Sequence, residues 1–215
     1  MLDNITLNCH SSIRIGGSKV LYFDPFRIGD ESHDADVIFV THDHYDHFEP
    51  SSIAKLSKEG TVLVVPDAMR ETACAQASEM GIPASLIVTV TPGSDHEVCG
   101  ISFTAVASYN ADKAFHPKSA GWCGYAVTID GLRCYVVGDA DDIPEARQTA
   151  CDVLLLPIGG TYTMTAEEAA GLANSVRPQY VIPTHYGSIV GSPEDADEFA
   201  KFLDPSLTMV RKLFI

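Results

Sequence analysis

From Val40 to Pro50 the chain reads VTHDHYDHFEP, and the six positions from His42 to His47 hold three histidines and two aspartates. A solvated acidic face has no need of so much imidazole. His42 and His44 are two apart, so in an extended segment both rings project to one side and can converge on one cation. Asp46 and His47 fall where the chain should turn toward the next helix, which lets them reach a second point nearby. Neutral imidazole suits zinc and other first-row metals, and a carboxylate adds negative charge against a dication. The plainer reading is a polar loop that collects histidines by chance. An HxHxDH order directly behind a buried strand is too specific for that.

Delivering such a cluster takes a particular scaffold. DVIFV (36–40) is a continuous β-branched run, the pattern of a strand covered on both faces, and it leads straight into the histidines. Before it, ITLNC, SIRI and KVLYFD read as short strands, with Gly16-Gly17 as a hairpin turn. Pro50-Ser51-Ser52 opens a short helix ending near Gly60, TVLVV (61–65) is another buried strand, and DAMRETACAQASEMG (67–81) reads as one helix stopped by Gly81. SLIVTV follows as a strand. Strands and turns then run from 95 to 138 through ISFTAVAS, GYAVTID and LRCYVV, the last two joined across Asp130-Gly131, and DVLLLPI (152–158) is again buried.

Thr165 and Glu168 form a capping box for the helix AEEAAGLANSV, YVIPTH (180–185) is a strand ending on histidine, and Ser192-Pro193 starts the last helix. Each half thus runs from strands to a buried strand, polar residues and a helix. That order suggests two stacked halves with sheets inward and helices outward.

Composition limits the partners. The 215 residues fit one domain, read over 1–215, with 46% hydrophobic residues and enough length for a sizeable core. The net charge of −15 and the lack of a basic run exclude nucleic acid as a default partner. No stretch is long and apolar enough for a membrane span, and the first ten residues lack a signal-peptide pattern. The six cysteines stand singly, without a CxxC pair, and read as reduced and mostly buried thiols. A cytoplasmic protein with a small-molecule substrate follows, and a homo-oligomer is left open.

Three further stretches complete a pattern: AFHPK with His116, YVVGDA with Asp139 directly after a strand, and IPTHYG with His185 at a strand end. With HxHxDH, and in this order, they make the sequence resemble the metallo-β-lactamase fold superfamily over essentially the whole chain. The resemblance implies an α/β fold, a four-layer αββα sandwich. It also implies that His42, His44 and His116 hold a first metal, that Asp46, His47 and His185 hold a second, and that Asp139 bridges both. The cofactors implied are two divalent ions, zinc first, with Mn2+ or Fe2+ as alternatives. Asp46 would orient a hydroxide activated by the two metals and carry a proton.

Some positions depart from the pattern. Asp139 stands where antibiotic-hydrolysing members typically place cysteine nearby, which argues against a true β-lactamase. GDA replaces the commoner GDT. CHSSIRIGGSKVLYFDPF (9–26) looks like the start of a small-hydrolase subgroup related to the ascorbate-6-phosphate lactonase and N-acyl-phosphatidylethanolamine phospholipase D branches, with Cys9 in place of the usual glycine. The expected activity is hydrolysis of a small ester, lactone or phosphodiester. The alternatives are a di-iron redox protein and a non-catalytic metal-binding sensor on the same fold.

Lesser candidates surround this set. Tyr109, Asn110, Lys118, Tyr162 and Tyr186 flank the ligand loops or the GGTYTMT loop and are candidates to line the substrate pocket, Lys118 as a cation for phosphate or carboxylate. His10 reads as a satisfied core histidine more readily than as a donor behind the site, and Asp24 as either a ligand-orienting carboxylate or a turn residue. His96, expected in a turn, is the minor rival to His116. Pro117 should hold His116 extended. His33 belongs on a solvated acidic loop.

Overall fold

The computed structural model describes residues 2–213. The first half contains β1 (Ile5–Leu7), β2 (Ile13–Ile15), β3 (Leu21–Phe23), β4 (Ala35–Phe39), α1 (Pro50–Leu56), β5 (Ser57–Pro66), α2 (Arg70–Ala75), α3 (Ala77–Met80) and β6 (Ile87–Val90). The second half contains β7 (Asp95–Val98), β8 (Ile101–Ala107), β9 (Cys123–Ile129), β10 (Leu132–Val136), α4 (Pro144–Arg147), β11 (Val153–Pro157), α5 (Ala166–Val176), β12 (Tyr180–Thr184), α6 (Asp195–Phe202) and β13 (Thr208–Met209).

The strands make a six-stranded sheet in the order β1-β2-β3-β4-β5-β6 and a seven-stranded sheet in the order β13-β12-β11-β10-β9-β8-β7. Each sheet begins as an antiparallel meander, through β3 in one and β10 in the other, and continues as parallel strands.

Alternation along the strands builds the layers. Val37 and Phe39 of β4 share one core with Phe103, Tyr125 and Leu155 of the other sheet, while Ile38 and Val40 face the α1–α3 side with Ile53, Ala73 and Met80. On the opposite face, Leu154 and Leu156 pack with Ala169, Ala173 and Phe199 of α5 and α6. Helices therefore cover the outer face of each sheet, and the fold is the four-layer αββα sandwich. Among the described residues no helix is long and apolar enough to cross a membrane.

Several elements differ from the sequence expectation. The helix expected over 67–81 is three pieces, with Gln76 at φ −94° and ψ 1° between α2 and α3. Only Ala73 in α2 and Met80 in α3 are buried, so little packing is available to hold a continuous helix. α1 stops at Leu56 because Ser57 already pairs with Ala35 of β4. The last helix starts at Asp195, whose carboxylate closes the preceding turn by accepting the Ser192 N–H at 2.9 Å.

β7 and the two-residue β13 were not expected as strands, and His96 lies within β7 rather than in a turn. The cysteines are free, but Cys74 and Cys99 are exposed: Cys74 follows buried Ala73 on α2, and Cys99 sits at positive φ in the turn joining β7 to β8. His33 is on an exposed loop, as read, with its Nδ1 2.8 Å from the Ser57 carbonyl.

Candidate metal centre

Loops leaving β1, β3, β4, β8, β10 and β12 gather at one edge of the sandwich. Two backbone bonds lock the two sheets together there: the His185 N–H donates to the His10 carbonyl at 3.1 Å, and the Cys123 N–H to the Thr41 carbonyl at 3.2 Å. The Tyr125 hydroxyl adds a buried bond of 2.7 Å to the Val40 carbonyl. Small residues permit the crowding. Gly138 has φ +72°, and a Cβ there would lie 3.1 Å from Thr41 Cβ and from Ser108 Oγ. A Cβ on Gly159 would run into the His185 carbonyl.

The donor atoms fall into adjoining groups. His42 Nε2 is 3.0 Å from His44 Nδ1, which is 3.2 Å from His116 Nε2. Ligands at zinc's usual N distance of about 2.0–2.1 Å in a tetrahedron are roughly 3.3 Å apart, so this trio has the spacing of a shared ion. Beside it, His10, Asp46, His47 and His185 form a second group, and His47 with His42 and Asp139 a third that joins the two. Asp139 Oδ2 is 3.4 Å from His116 Nε2 and 3.0 Å from His185 Nε2, and Oδ1 is 3.3 Å from His47 Nε2.

The Asp139 contacts with His47 and His185 are not hydrogen bonds. His47 Nε2, Asp139 Oδ1 and both ring nitrogens of His185 are buried without a hydrogen-bond partner. Unmet donors and acceptors are costly in an interior, and here they converge on common points, the arrangement a cation satisfies. The seven residues His42, His44, Asp46, His47, His116, Asp139 and His185 are thus brought together, and an all-imidazole-and-carboxylate donor set fits divalent first-row metals.

The supporting residues fix which nitrogen points inward. Asp24 is fully buried and accepts the Thr41 N–H and the Thr41 hydroxyl, each at 2.7 Å. Its Oδ2 also lies 2.7 Å from His47 Nδ1, so that nitrogen keeps a proton and Nε2 is the one turned toward the donor cluster. The Thr41 hydroxyl spends its only hydrogen on Asp24 and lies 2.9 Å from His42 Nδ1, which assigns that proton too and frees His42 Nε2. Asp24 is an orienting carboxylate.

His10 is fully buried, but inside the site: Nε2 is 3.1 Å from Asp46 Oδ2 and Nδ1 is 3.2 Å from Ser188 Oγ. It holds Asp46 rather than packing in an apolar core. Its signal was its place after a short strand in CHSS. Thr41, between strand and motif, offered none, because a threonine at a strand end is common. His10, Asp24, His116 and His185 all have positive φ, between 45° and 58°. Such strain collects at functional sites. For His116 it overrides the extended preference expected before Pro117, because the loop is closed by the Asn110 N–H bonding the His116 carbonyl at 2.7 Å.

The expected pocket residues mostly lie elsewhere. Tyr162 lines the cavity over the donor cluster. Asn110 is buried and clasps two loops, donating to the Phe115 and Tyr162 carbonyls at 3.0 and 2.7 Å. Lys118 is exposed and bonds Glu145 at 2.8 Å, Tyr109 donates to the same carboxylate at 3.0 Å, and Tyr186 packs in the helix-side core. Their nearness in sequence to ligand loops did not fix the direction of their side chains. His96 belongs to none of the donor groups; it stacks on Phe103 with Nε2 2.7 Å from Ser94 Oγ.

Burial, aided by neighbouring imidazoles, pushes His42 well below the ordinary imidazole value of 6.5, and burial pushes His116 down to about 4. His47 is the reverse: burial lowers it, but the Asp139 and Asp24 carboxylates raise it well above that value. Between pH 6.5 and about 4, His42 and His116 take up protons only in the unfolded chain. Each then removes about 1.4 kcal/mol of stability per pH unit as pH falls. His47 adds no slope there, because its contribution is complete below its unfolded value. Metal-stripped protein should therefore lose urea midpoint steadily from pH 6.5 to 4.5. A flat or rising midpoint would contradict this burial.

Two facing mixed sheets with donor loops gathered along one edge define the metallo-β-lactamase fold. The family described as "Beta-lactamase superfamily domain" matches residues 4–185. A UPF0173 metal-dependent hydrolase of Nitratidesulfovibrio vulgaris is 32% identical, over 94% of this chain and 88% of its own. One from Pyrococcus furiosus is 29% identical, over 96% and 94%. A solved Parabacteroides distasonis protein, assigned as a metal-dependent hydrolase, superposes with a TM-score of 0.79 at 26% identity, covering 98% of this chain and 93% of that one. The chain belongs to the beta-lactamase superfamily, among its metal-dependent hydrolases.

Proposed function

We propose that the protein hydrolyses a small ester, lactone or phosphodiester at a centre of two metals, zinc first among them. His42, His44 and His116 would hold one ion, Asp46, His47 and His185 the other, with Asp139 between. The observation that carries this reading is the Asp139 carboxylate, whose two oxygens reach donors of both groups within 3.0–3.4 Å. Two dications supply Lewis acidity to the substrate oxygen and make water a nucleophile near neutral pH.

The chain's own part is orientation and proton handling. Asp46 lines the cavity, with one oxygen held by His10. Burial is the largest influence and raises its pKa, but the His10 hydrogen bond and the neighbouring His47 together outweigh it and leave Asp46 below the usual range, so it is ionised at neutral pH. It is placed to accept a proton of the attacking water and pass it to the leaving oxygen. Trp122 packs 4.9 and 5.1 Å from the His42 and His44 rings and closes that side of the site.

Elemental analysis after zinc saturation should find close to two ions per chain, and the loaded protein should turn over at least one of the three substrate classes. One ion or fewer contradicts the binuclear reading. Because nitrogen and oxygen donors also suit iron, a visible absorption band in freshly isolated protein that bleaches on reduction favours the redox alternative. Full metal loading with no turnover favours the sensor.

A further inference from the structure

The cavity above the donor cluster holds about 300 Å³, and its floor is formed by the donor residues. The remaining lining is Tyr45, Phe115, Tyr162 and Ile189. Tyr45 is 65% exposed and Phe115 52%, two of the three exposed large hydrophobics among the described residues. Large aromatic side chains left in water around a concave site mark a surface that buries something apolar. They are also braced rather than loose. Phe115 meets Tyr162 edge-on at 4.8 Å, and Tyr45 meets Phe26 edge-on at 6.0 Å.

The cations near the lining residues or Phe26 in sequence are engaged elsewhere. Lys118 pairs with Glu145, Lys113 contacts Asp141 and lies near Asp112 and Glu168, and Arg27 lies over the Phe26 ring at 4.8 Å. None of them lines the cavity. The metals would face one reacting oxygen, but a further anionic group on the substrate would meet aromatic rings and the field of a chain with net charge −15.

We infer that the substrate is a neutral carboxylic ester or lactone whose alkyl or aromatic group packs among Phe115, Tyr162, Tyr45 and Ile189; this rests on the hydrolase reading above. In the reaction a water oxygen bonds to the acyl carbon, the bond from that carbon to the alkoxide oxygen breaks, one of the water's protons ends on the alkoxide and the other is released to solvent as the acid product ionises. A pocket of this size takes the group beside the scissile bond and not a long lipid chain. Each methylene it buries should raise affinity about fourfold until the mouth is filled.

The test separates binding from turnover. Acetohydroxamate and hexanohydroxamate carry the same metal-binding head, so titration of both into the zinc-loaded protein reads the mouth alone. The longer compound should bind at least tenfold tighter, and Phe115→Ala and Tyr162→Ala should remove most of that gap; Phe115 is half in solvent, so its loss leaves the fold intact. Equal affinities, or a gap unchanged in both variants, overturns the inference whether or not the protein is a hydrolase. In parallel, kcat/KM is measured for p-nitrophenyl acetate, butyrate and hexanoate and for bis(p-nitrophenyl) phosphate. A rise along the acyl series with the phosphodiester slower supports the inference. A preference for the phosphodiester overturns it but leaves the hydrolase reading standing. No turnover of these substrates or of an alkyl-substituted γ-lactone, with the hydroxamate gap present, sinks the hydrolase reading and keeps the apolar site.

Discussion

His116→Ala should lower zinc affinity at the three-histidine position by at least roughly the 10–100-fold that loss of even an indirect partner costs, and should remove most turnover. His96→Ala should leave both near normal. The contrast is physical. His116 is 2% exposed, with Nε2 3.2 Å from His44 Nδ1 and 3.4 Å from the Asp139 carboxylate. Its ring already sits near neutral charge at pH 7, since burial pushes it down to about 4, so a metal need not compete with a proton there. His96 spends its ring on Phe103 and Ser94 in an edge strand. The chain's only tryptophan, Trp122, lies 5.5 Å from the His116 ring, so its fluorescence can follow the zinc titration directly. If His96→Ala proves the more damaging variant, the assignment of His116 fails.

The sequence made the ligand motif legible for a simple reason. Metal donors come from a short list of side chains, here imidazole and carboxylate, and strand-end loops deliver them in a fixed chain order, so type and spacing survive as text. The buried strands were legible because β11, and β4 from Val37 onward, are covered on both faces and apolar there. What lies behind the site was less so. Whether His10 faces Asp46 or a hydrocarbon core depends on the β12 loop, more than 170 residues away, which brings Ser188 to its other nitrogen.

The mouth was misread for a related reason. Lys118 and Tyr109 sit close in sequence to the donor loops but turn to Glu145, whereas Phe115, next to His116, faces the cavity. Neighbourhood in sequence fixes where a loop is, and not which way its side chains point. The helix over 67–81 broke because propensity alone could not join segments with so little buried surface.

Asp24→Asn is the sharper probe of how the chain prepares its second donor group. Asparagine keeps the shape and tolerates the φ of 45° at this position, so the change is confined to the hydrogen-bond pattern. The amide oxygen must stay where the Thr41 N–H needs an acceptor, which turns the NH2 toward the Thr41 hydroxyl and His47 Nδ1. A donor facing Nδ1 drives the His47 proton to Nε2, the nitrogen that otherwise points unpartnered toward Asp139. Metal bound at Nε2 leaves the ring proton on Nδ1, where it would meet the NH2 donor head-on, so affinity at this position should fall roughly 10–100-fold. The Thr41 hydroxyl loses its carboxylate acceptor in a fully buried spot, and the apo protein should lose about 1–3 kcal/mol. The expected zinc titration is therefore weakened at both positions: directly at His47, and at His42 because the Thr41 hydroxyl, facing the NH2, turns its hydrogen to His42 Nδ1. Imidazole 15N NMR of the metal-free protein, taken at a pH where the ring is neutral, should show the His47 proton on Nε2. An unchanged second binding step, with the proton still on Nδ1, would mean that Asp24 does not set this tautomer.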